Sequence, residues 1–222
     1  MKIKKPKIFI ACDTTNILKV RQIINQSRTN KIKIAYKFGL EFMNSKNGRQ
    51  FILKLKNEIV FIDLKLNDTV NTMLSAVKAL KDLKINYLTV HISSGLAALK
   101  AVKKISGSTK IVGVTTLTSL NNKDLKLIGY NKSVKSLVTH QAKLARKADL
   151  DALVCSPYEV KAVRKVFKKE IITPGVQIGK RNYDQKRSME AKNVKSDWLV
   201  IGRAITRGNI KKNIQNLAKE LR

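Results

Sequence analysis

The sequence has little proline and cysteine and no long apolar run. It contains three prolines and two cysteines in 222 residues. Disulfide frameworks are typical of short, cysteine-rich secreted chains, so we expect Cys12 and Cys155, which each end an apolar run, to be reduced core residues. The apolar run at 8–12 is too short for the core of a signal peptide, and no later run approaches membrane length. These absences predict a cytoplasmic protein without a membrane partner.

Acidic residues are also scarce. Fifteen of them face 46 lysines and arginines, which gives a net charge of +31. A field of this size favours polyanions, including nucleic acid, phosphate esters and acidic membranes. The lysines are nevertheless spread along the chain, and the few aromatic residues show no RNA-binding pattern. We therefore expect a lysine-rich solvated surface and no specific nucleic-acid partner, with a nucleic-acid-binding protein as the alternative.

No linker or composition break divides the chain. Eight apolar segments alternate with helical patterns, and continuous apolar strands are typical of parallel sheets covered on both faces. The predicted strands lie at 7–13, 32–38, 59–65, 87–91, 110–115, 152–155, 171–173 and 198–201. Eight βα units in this length predict an α/β protein with one (β/α)₈ barrel over residues 1–222. A doubly wound open sheet is the alternative, but no Gly-x-Gly-x-x-Gly turn follows the first strand.

Other connections are predicted in less detail. One helix is expected at 42–56, a loop at 176–187, a short helix at 189–192, and a last helix capped by Asn209. The loop carries polar residues without periodicity, and such a segment can fold over a ligand as a lid.

The stretch at 60–69 ends a buried strand with charged residues. Asp63 and Lys65 are two positions apart, which in a regular strand places both side chains on the same face. Asp68 follows where the next helix begins. Because a buried charge is costly unless it is paired, this arrangement predicts either a structural ion pair or a functional site.

Polar residues also end most of the other predicted strands. In a (β/α)₈ barrel the carboxyl ends of the strands meet at one mouth, where active sites lie. Individually some have a plain structural explanation: Asp13 as a helix cap, His91 as a core histidine and Ser156 as a turn residue. The residues expected to converge at the mouth are Asp13, Lys37, Asp63 with Lys65, His91, Thr118 or Ser119, Ser156 and Arg203.

Two lysines and two acids form a consistent catalytic set. Alternation of Lys37, Asp63, Lys65 and Asp68 would keep both lysines charged, because each has an anionic neighbour. A charged lysine held against a reacting carbon can stabilise a carbanion and then protonate it. Schiff-base chemistry instead needs a lysine of lowered pKa in an apolar pocket, and the two carboxylates argue against it.

The loops after the last two barrel strands predict a phosphate site. Gly175, Gly179, Gly202 and Arg203 lie in these loops, which hold phosphate in many barrels of this type. Glycine allows the backbone to approach a ligand closely, and Arg203 can supply a charge-assisted, two-pronged hydrogen bond.

Short motifs recur in order along the chain, namely Ala11-Cys12-Asp13, Lys37-Phe38-Gly39, Asp63-Leu64-Lys65-Leu66-Asn67-Asp68, Val90-His91, Leu117-Thr118-Ser119, Thr173-Pro174-Gly175, Asp184-Gln185-Lys186-Arg187 and Val200-Ile201-Gly202-Arg203. Together these motifs resemble those of the orotidine 5′-phosphate decarboxylase family over essentially the full chain. The Asp-x-Lys-x-x-Asp core is shared with sugar-phosphate relatives, such as 3-keto-gulonate-phosphate decarboxylase and hexulose-phosphate synthase, whereas the Thr-Pro-Gly and Asp-Gln-x-Arg pieces separate the orotidylate enzymes from them.

The resemblance implies a homodimer that converts orotidine 5′-phosphate to UMP and carbon dioxide, the last step of de novo pyrimidine biosynthesis, without a cofactor or metal. Lys65 would deliver the proton to C6 of the pyrimidine, Asp63 would lie against the departing carboxylate, and Lys37 would bridge Asp63 and the ribose. Asp68 and Thr72 would reach in from the partner subunit. The other implied substrate-binding positions are Asp13 at the ribose hydroxyls, Thr118 or Ser119 at the pyrimidine edge, Gln185, Gly202 and Arg203 at the phosphate, and Thr69, Pro174 and Gln177.

The sequence departs from the family pattern at two places. Gln177 stands where many bacterial members have arginine, which removes one charged phosphate contact that Lys180 or Arg181 would compensate. Asn67 stands where the core usually carries histidine, and Thr69-Val70 replaces Ile-Pro. Because the four charged residues are intact, we expect altered affinity more than altered chemistry.

Overall fold

The computed structural model of the protein describes residues 7–177 and 189–221. Its main sheet is a closed barrel of eight parallel strands in sequential order. These strands are β1 (Lys7–Ala11), β2 (Ile34–Gly39), β3 (Val60–Leu66), β4 (Tyr87–His91), β5 (Lys110–Val114), β6 (Ala152–Val154), β7 (Glu170–Thr173) and β10 (Trp198–Ile201), while β8 (Val176–Gln177) and β9 (Met189–Glu190) form a separate pair. Each predicted strand corresponds to one barrel strand, so the barrel is confirmed and the open sheet is wrong.

Helices cover the outside of the barrel. They are α1 (Ile17–Ser27), α2 (Leu40–Met43), α3 (Gly48–Lys54), α4 (Val70–Ala79), α5 (Gly95–Ile105), α6 (Asn122–Leu127), α7 (Val134–Lys147), α8 (Val160–Val166), α9 (Arg203–Thr206) and α10 (Ile210–Glu220). The predicted cap of the last helix is confirmed, because the Asn209 side chain accepts the N–H of Lys212. Within the described ranges, none of the helices combines the length and apolar character that crossing a bilayer requires.

The predicted helix at 42–56 is wrong, because the chain turns between α2 and α3. The Ser45 hydroxyl donates to the Phe42 carbonyl oxygen at 2.6 Å and so competes for an acceptor that a continuing helix needs. Gly48 then passes so close to this carbonyl that a Cβ atom would lie 1.9 Å from the oxygen. The turn therefore needs a residue without a side chain at position 48.

The chain around the predicted loop also differs from expectation. Val176 and Gln177 pair in parallel with Met189 and Glu190, so the loop begins later than predicted. The short helix expected near 189–192 is a three-residue 3₁₀ helix, Ala191–Asn193, and Met189 and Glu190 form a strand instead. Residues 178–188 lie outside the described part of the chain.

The barrel interior is organised in layers. Its floor contains one buried side chain from each strand, namely Phe9, Ala35, Phe61, Tyr87, Val112, Ala152, Ile172 and Trp198. The rings of Phe9 and Trp198 stack with their centroids 4.1 Å apart. Because strand side chains alternate between faces, the residues two positions later point inward one layer higher, towards the mouth. The larger apolar core lies between the strands and the helices.

At the end of the barrel opposite the mouth, side chains accept hydrogen bonds from backbone N–H groups at the starts of the strands. This occurs in three pairs of adjacent barrel strands. In each pair, the side chain of the residue just before the later strand accepts a backbone N–H at the start of the earlier strand. The bonds join Val60 N to Asn86 Oδ1 at 2.8 Å, Ile111 N to Asp151 Oδ2 at 2.9 Å, and Ile171 N to Asp197 Oδ2 at 2.8 Å. These contacts stabilise the closed barrel far from its mouth.

Replacing Asp197 tests this role. Asp197→Ala leaves the buried N–H of Ile171 without its acceptor, so we expect the free energy of unfolding to fall by about 1–2 kcal/mol. Asp197→Asn is the matched control, because its amide oxygen can still accept from Ile171 while the half-exposed ion pair with Arg164 contributes little. Urea unfolding measures both; an Asp197→Ala protein as stable as the wild type would contradict the assignment.

Candidate active site

The charged end of β3 is not a regular strand. The pairing of β3 with β4 shifts register between Ile62 and Leu66, and Lys65 adopts a φ of 52°. This left-handed conformation is unfavourable for a residue with a side chain and costs on the order of 1–3 kcal/mol. The prediction that Asp63 and Lys65 lie on one face of a regular strand is therefore wrong in its geometry: Lys65 lies in a bulge, and its ammonium still reaches Asp63.

Four charged side chains form a chain of alternating sign at the mouth. The Nζ atom of Lys37 lies 3.1 Å from Asp13 Oδ1 and 3.4 Å from Asp63 Oδ2, and the Nζ atom of Lys65 lies 3.0 Å from Asp63 Oδ1. The central pair is the most enclosed, with side chains 10% exposed for Lys37 and 13% for Asp63. Three of the four predicted catalytic residues thus belong to this charged chain of side chains, and Asp13 extends it.

Burial and pairing oppose each other at the two central groups. Burial alone would lower the pKa of Lys37, but the carboxylates of Asp63 and Asp13 outweigh it, so the pKa lies above its ordinary value. Burial would likewise raise the pKa of Asp63, but Lys37, Lys65 and a hydrogen bond from Thr89 together hold that pKa below its usual range. Both groups are therefore charged at neutral pH, because each stabilises the charged form of the other.

A cavity of ≈ 390 Å³ opens at the mouth above the floor layer, a volume suited to a small-molecule ligand. Apolar strand residues form part of its wall, among them Phe61, Val114, Val154 and Val200. The predicted site residues that line it are Asp13, Lys37, Asp63, Lys65, Thr118, Pro174, Gln177, Gly202 and Arg203. Gly175, Gly202 and Arg203, expected in the phosphate loops, therefore share one cavity with the charged chain.

Of the remaining predicted positions, those within the described residues lie outside this wall. Asp68, Thr69 and Thr72 are exposed together at the start of α4, where Thr69 is the residue that precedes the helix. Asp68 Oδ1 accepts the N–H of Thr69 at 2.7 Å, and the hydroxyls of Thr69 and Thr72 are 3.1 Å apart. Ser119 is exposed outside the cavity, and Gln185, with Gly179, Lys180 and Arg181, lies outside the described residues.

Two expected mouth residues have other contacts. His91 Nδ1 lies 2.7 Å from the Ser93 hydroxyl, which donates to Asn67 Oδ1 at 3.2 Å. Burial lowers the pKa of His91, and the positive charge of Lys65 lowers it further. Ser156 is a turn residue whose Oγ accepts the N–H of Tyr158. Both residues stand at the mouth ends of their strands as predicted, but neither lines the cavity.

The alternative explanation of Asp13 as a helix cap is also wrong. The side chain that accepts from the first turn of α1 belongs to Asn16, which bonds the N–H of Lys19. Asp13 instead turns its carboxylate to Lys37. Asp13 thus lines the cavity as part of the charged chain.

One residue of the site was absent from the sequence-based set. Thr89 of β4 is fully buried and contacts both Asp63 and Lys65 through its hydroxyl. The signal that could have found it is the two-residue alternation of the strands, since Thr89 stands two positions after Tyr87 as Asp63 stands two after Phe61. A polar residue at an inward position of an apolar strand needs a partner.

The sequence matches that of a known protein family. A sequence profile described as the orotidine 5′-phosphate decarboxylase / HUMPS family matches residues 6–214. The chain belongs to this family. The matched range contains the Asp63-x-Lys65-x-x-Asp68 core and the Gly202-Arg203 turn, so the resemblance inferred from these motifs is confirmed.

Individual members of the family match over nearly their whole length. The chain is 39% identical over 220 residues to the orotidine 5′-phosphate decarboxylase of Wolbachia sp. subsp. Brugia malayi (strain TRS), covering 95% of this chain and 96% of that protein. It is 38% identical over 213 residues to the enzyme of the same name from Buchnera aphidicola subsp. Acyrthosiphon pisum (strain APS), covering 90% and 89%.

A solved member of the family has the same fold. The crystal structure of orotidine 5′-phosphate decarboxylase from Lactobacillus acidophilus superposes with a TM-score of 0.82 at 28% identity, covering 98% of this chain and 99% of that chain. The barrel and the order of its strands are therefore those of an orotidine 5′-phosphate decarboxylase. Among residues 7–177 and 189–221, no group of three His, Cys, Asp or Glu side chains is arranged to hold a metal ion.

The cysteine beside the site provides a test of its burial. Cys12 directly precedes Asp13 but is fully buried in the outer core, and this burial raises the pKa of its thiol to about 12 despite the nearby Lys37. Because the thiolate is the reactive form, we expect iodoacetamide at a pH of about 8 to leave Cys12 unmodified in the native protein. Full labelling in guanidinium is the control, and rapid labelling of native Cys12 would contradict this placement.

Proposed function

We propose that this chain converts orotidine 5′-phosphate to UMP and carbon dioxide, the last step of de novo pyrimidine biosynthesis. The observation that carries the proposal is the alternating chain Asp13, Lys37, Asp63 and Lys65 at the mouth of a barrel of this family. Such an arrangement holds a lysine ammonium and a carboxylate side by side in a partly enclosed cavity. A decarboxylation that passes through carbanion character needs a fixed cation at the reacting carbon.

The cavity has two chemically different sides that suit the two ends of the substrate. Gly202, Arg203 and Gln177 offer backbone N–H groups, a guanidinium and an amide for the phosphate, and Thr118 offers a hydroxyl for the pyrimidine edge. The ribose would then lie over Asp13 and Lys37. This orientation directs C6 and its carboxylate towards Asp63 and Lys65.

The charged chain supplies the chemistry in this orientation. The bond from C6 to the carboxylate carbon breaks, carbon dioxide leaves, and the electron pair stays on C6. The ammonium of Lys65 stabilises this pair and then donates its proton to C6. Lys37 keeps Asp63 ionised, so a negative charge faces the departing carboxylate while the two ends of the substrate are held elsewhere.

Asp68 and Thr72 are proposed to complete the active site of a second subunit in a homodimer. Both are exposed at the start of α4, outside the cavity of their own chain. Asp68 accepts the backbone N–H of Thr69, and the Thr69 hydroxyl bonds the hydroxyl of Thr72. These bonds order the start of the helix and give a compact polar surface suited to an interface. In such a dimer Asp68 would extend the charge chain of the partner's site beyond Lys65.

Other expectations remain predictions. They are the absence of a cofactor or metal requirement, the cytoplasmic location, the single domain over residues 1–222 and the phosphate contact of Gln185. Turnover of orotidine 5′-phosphate in the presence of a chelator tests whether a metal is required.

The direct test is turnover of orotidine 5′-phosphate, followed as loss of ultraviolet absorbance without added metal. Lys65→Ala removes both the stabilising cation and the proton donor, so we expect kcat/KM to fall by about 10³-fold or more. Lys100→Ala, on the exposed face of α5, is the matched control and should retain full activity. An active Lys65→Ala enzyme with unchanged circular dichroism would overturn the proposal, and turnover of a sugar phosphate instead would favour the other branch of the family.

Subunit complementation tests the role of Asp68. Lys65→Ala and Asp68→Ala chains should each form inactive homodimers. A heterodimer purified through two different affinity tags contains one intact site, built from Lys65 of one chain and Asp68 of the other. We expect it to regain about half of the wild-type activity per dimer, because the interface is symmetric. A heterodimer as inactive as its parents would show that Asp68 does not act across the interface.

A further inference from the structure

Thr89 occupies a central position below the charged chain. Its side chain is fully buried and does not line the cavity. The hydroxyl lies 2.7 Å from the backbone nitrogen of Lys65 and 3.1 Å from Asp63 Oδ1. A single buried atom therefore contacts the backbone of one proposed catalytic residue and the side chain of the other.

The chemistry of these two neighbours determines the direction of both hydrogen bonds. An ionised carboxylate can only accept and a backbone N–H can only donate, whereas a threonine hydroxyl does both. The hydroxyl of Thr89 must therefore accept from Lys65 and donate to Asp63. The hydroxyl thus acts as donor and acceptor at once, which fixes its orientation. It also couples the position of the Asp63 carboxylate to that of the Lys65 backbone.

The bulge in β3 explains why such a contact is needed. Lys65 has a φ of 52°, and the ladder between β3 and β4 is interrupted between Ile62 and Leu66. The N–H of Lys65 consequently bonds a side chain of β4 where a regular strand would bond its backbone. Without this acceptor the N–H would be left unsatisfied in a buried position, and the strained conformation would lose a contact that holds it in place.

We propose that Thr89 is a positioning residue of the reaction: its hydroxyl holds the Asp63 carboxylate and the Lys65 backbone in the geometry that aligns the ammonium with the reacting carbon. This inference rests on the proposed function. Thr89 acts through Asp63 and Lys65 and does not touch the substrate. Its effect should therefore be on the chemical step and not on binding of the distant phosphate.

Two variants separate the hydroxyl from the shape of the side chain. Thr89→Val keeps the branched shape and removes the hydroxyl, whereas Thr89→Ser keeps the hydroxyl. We expect Thr89→Val to lower kcat by about 10²-fold, the size of effect that a small misplacement of reacting groups produces, with KM changed by less than about threefold. Thr89→Ser should recover most of kcat.

A control and a second measurement make the outcome decisive. Thr109→Val removes a hydroxyl that bonds a backbone carbonyl, that of Ile85, at the far end of the barrel, and should leave kcat unchanged. Amide hydrogen exchange at Lys65 gives a readout that does not depend on activity: we expect faster exchange in Thr89→Val than in the wild type and Thr89→Ser. Unchanged kcat and unchanged Lys65 exchange in a folded Thr89→Val protein would overturn the inference.

The same measurements distinguish failure of the inference from failure of the proposed function. If the wild type does not turn over orotidine 5′-phosphate, the proposed function fails, while the exchange at Lys65 still reports whether Thr89 holds the bulge. If the wild type is active and Thr89→Val loses stability but keeps kcat, Thr89 has a structural role alone and the positioning role is wrong.

Discussion

The buried carboxylate of Asp63 is the constraint on which the active site depends. A carboxylate this enclosed is stable only with compensating partners, and Asp63 has three: the ammonium groups of Lys37 and Lys65 and the hydroxyl of Thr89. These partners come from β2, β3 and β4, so three neighbouring strands must keep their register for the charge to be tolerated. The same contacts that make the carboxylate acceptable also hold the proposed proton donor in place.

The barrel provides this register through its layered interior. The floor is formed by aromatic and aliphatic side chains, and the stacked rings of Phe9 and Trp198 lie at its centre. Asp63 follows Phe61 by two positions and Lys37 follows Ala35 by two, so a hydrophobic layer directly supports a charged one. This explains how a chain with only 5% aromatic residues still builds a rigid base, since several of its aromatic rings lie in that layer.

The large positive charge is left uncompensated by the few carboxylates of the protein. Many of the few carboxylates are engaged in ion pairs, both at the mouth and near the starts of the strands, where Asp151 pairs with Lys103 and Asp197 with Arg164. The remaining lysines leave a positive field around the protein. Such a field attracts an anionic substrate by long-range steering, which agrees with a phosphate-binding function without requiring a specific nucleic-acid site.

The sequence by itself determined the eight βα units and the strand-end positions of Asp13, Lys37, Asp63 and Lys65, because apolar periodicity and chain order are local properties. It did not determine which strand-end residues share a cavity: His91 and Ser156 follow the same pattern but bond Ser93 and Tyr158. It also predicted a regular strand at Lys65, where the ladder with β4 creates a bulge. Only the tertiary structure decided the bulge, the split of the helix at Gly48 and the contacts of Thr89, because each depends on atoms that are distant in sequence or on close backbone approaches that periodicity does not record.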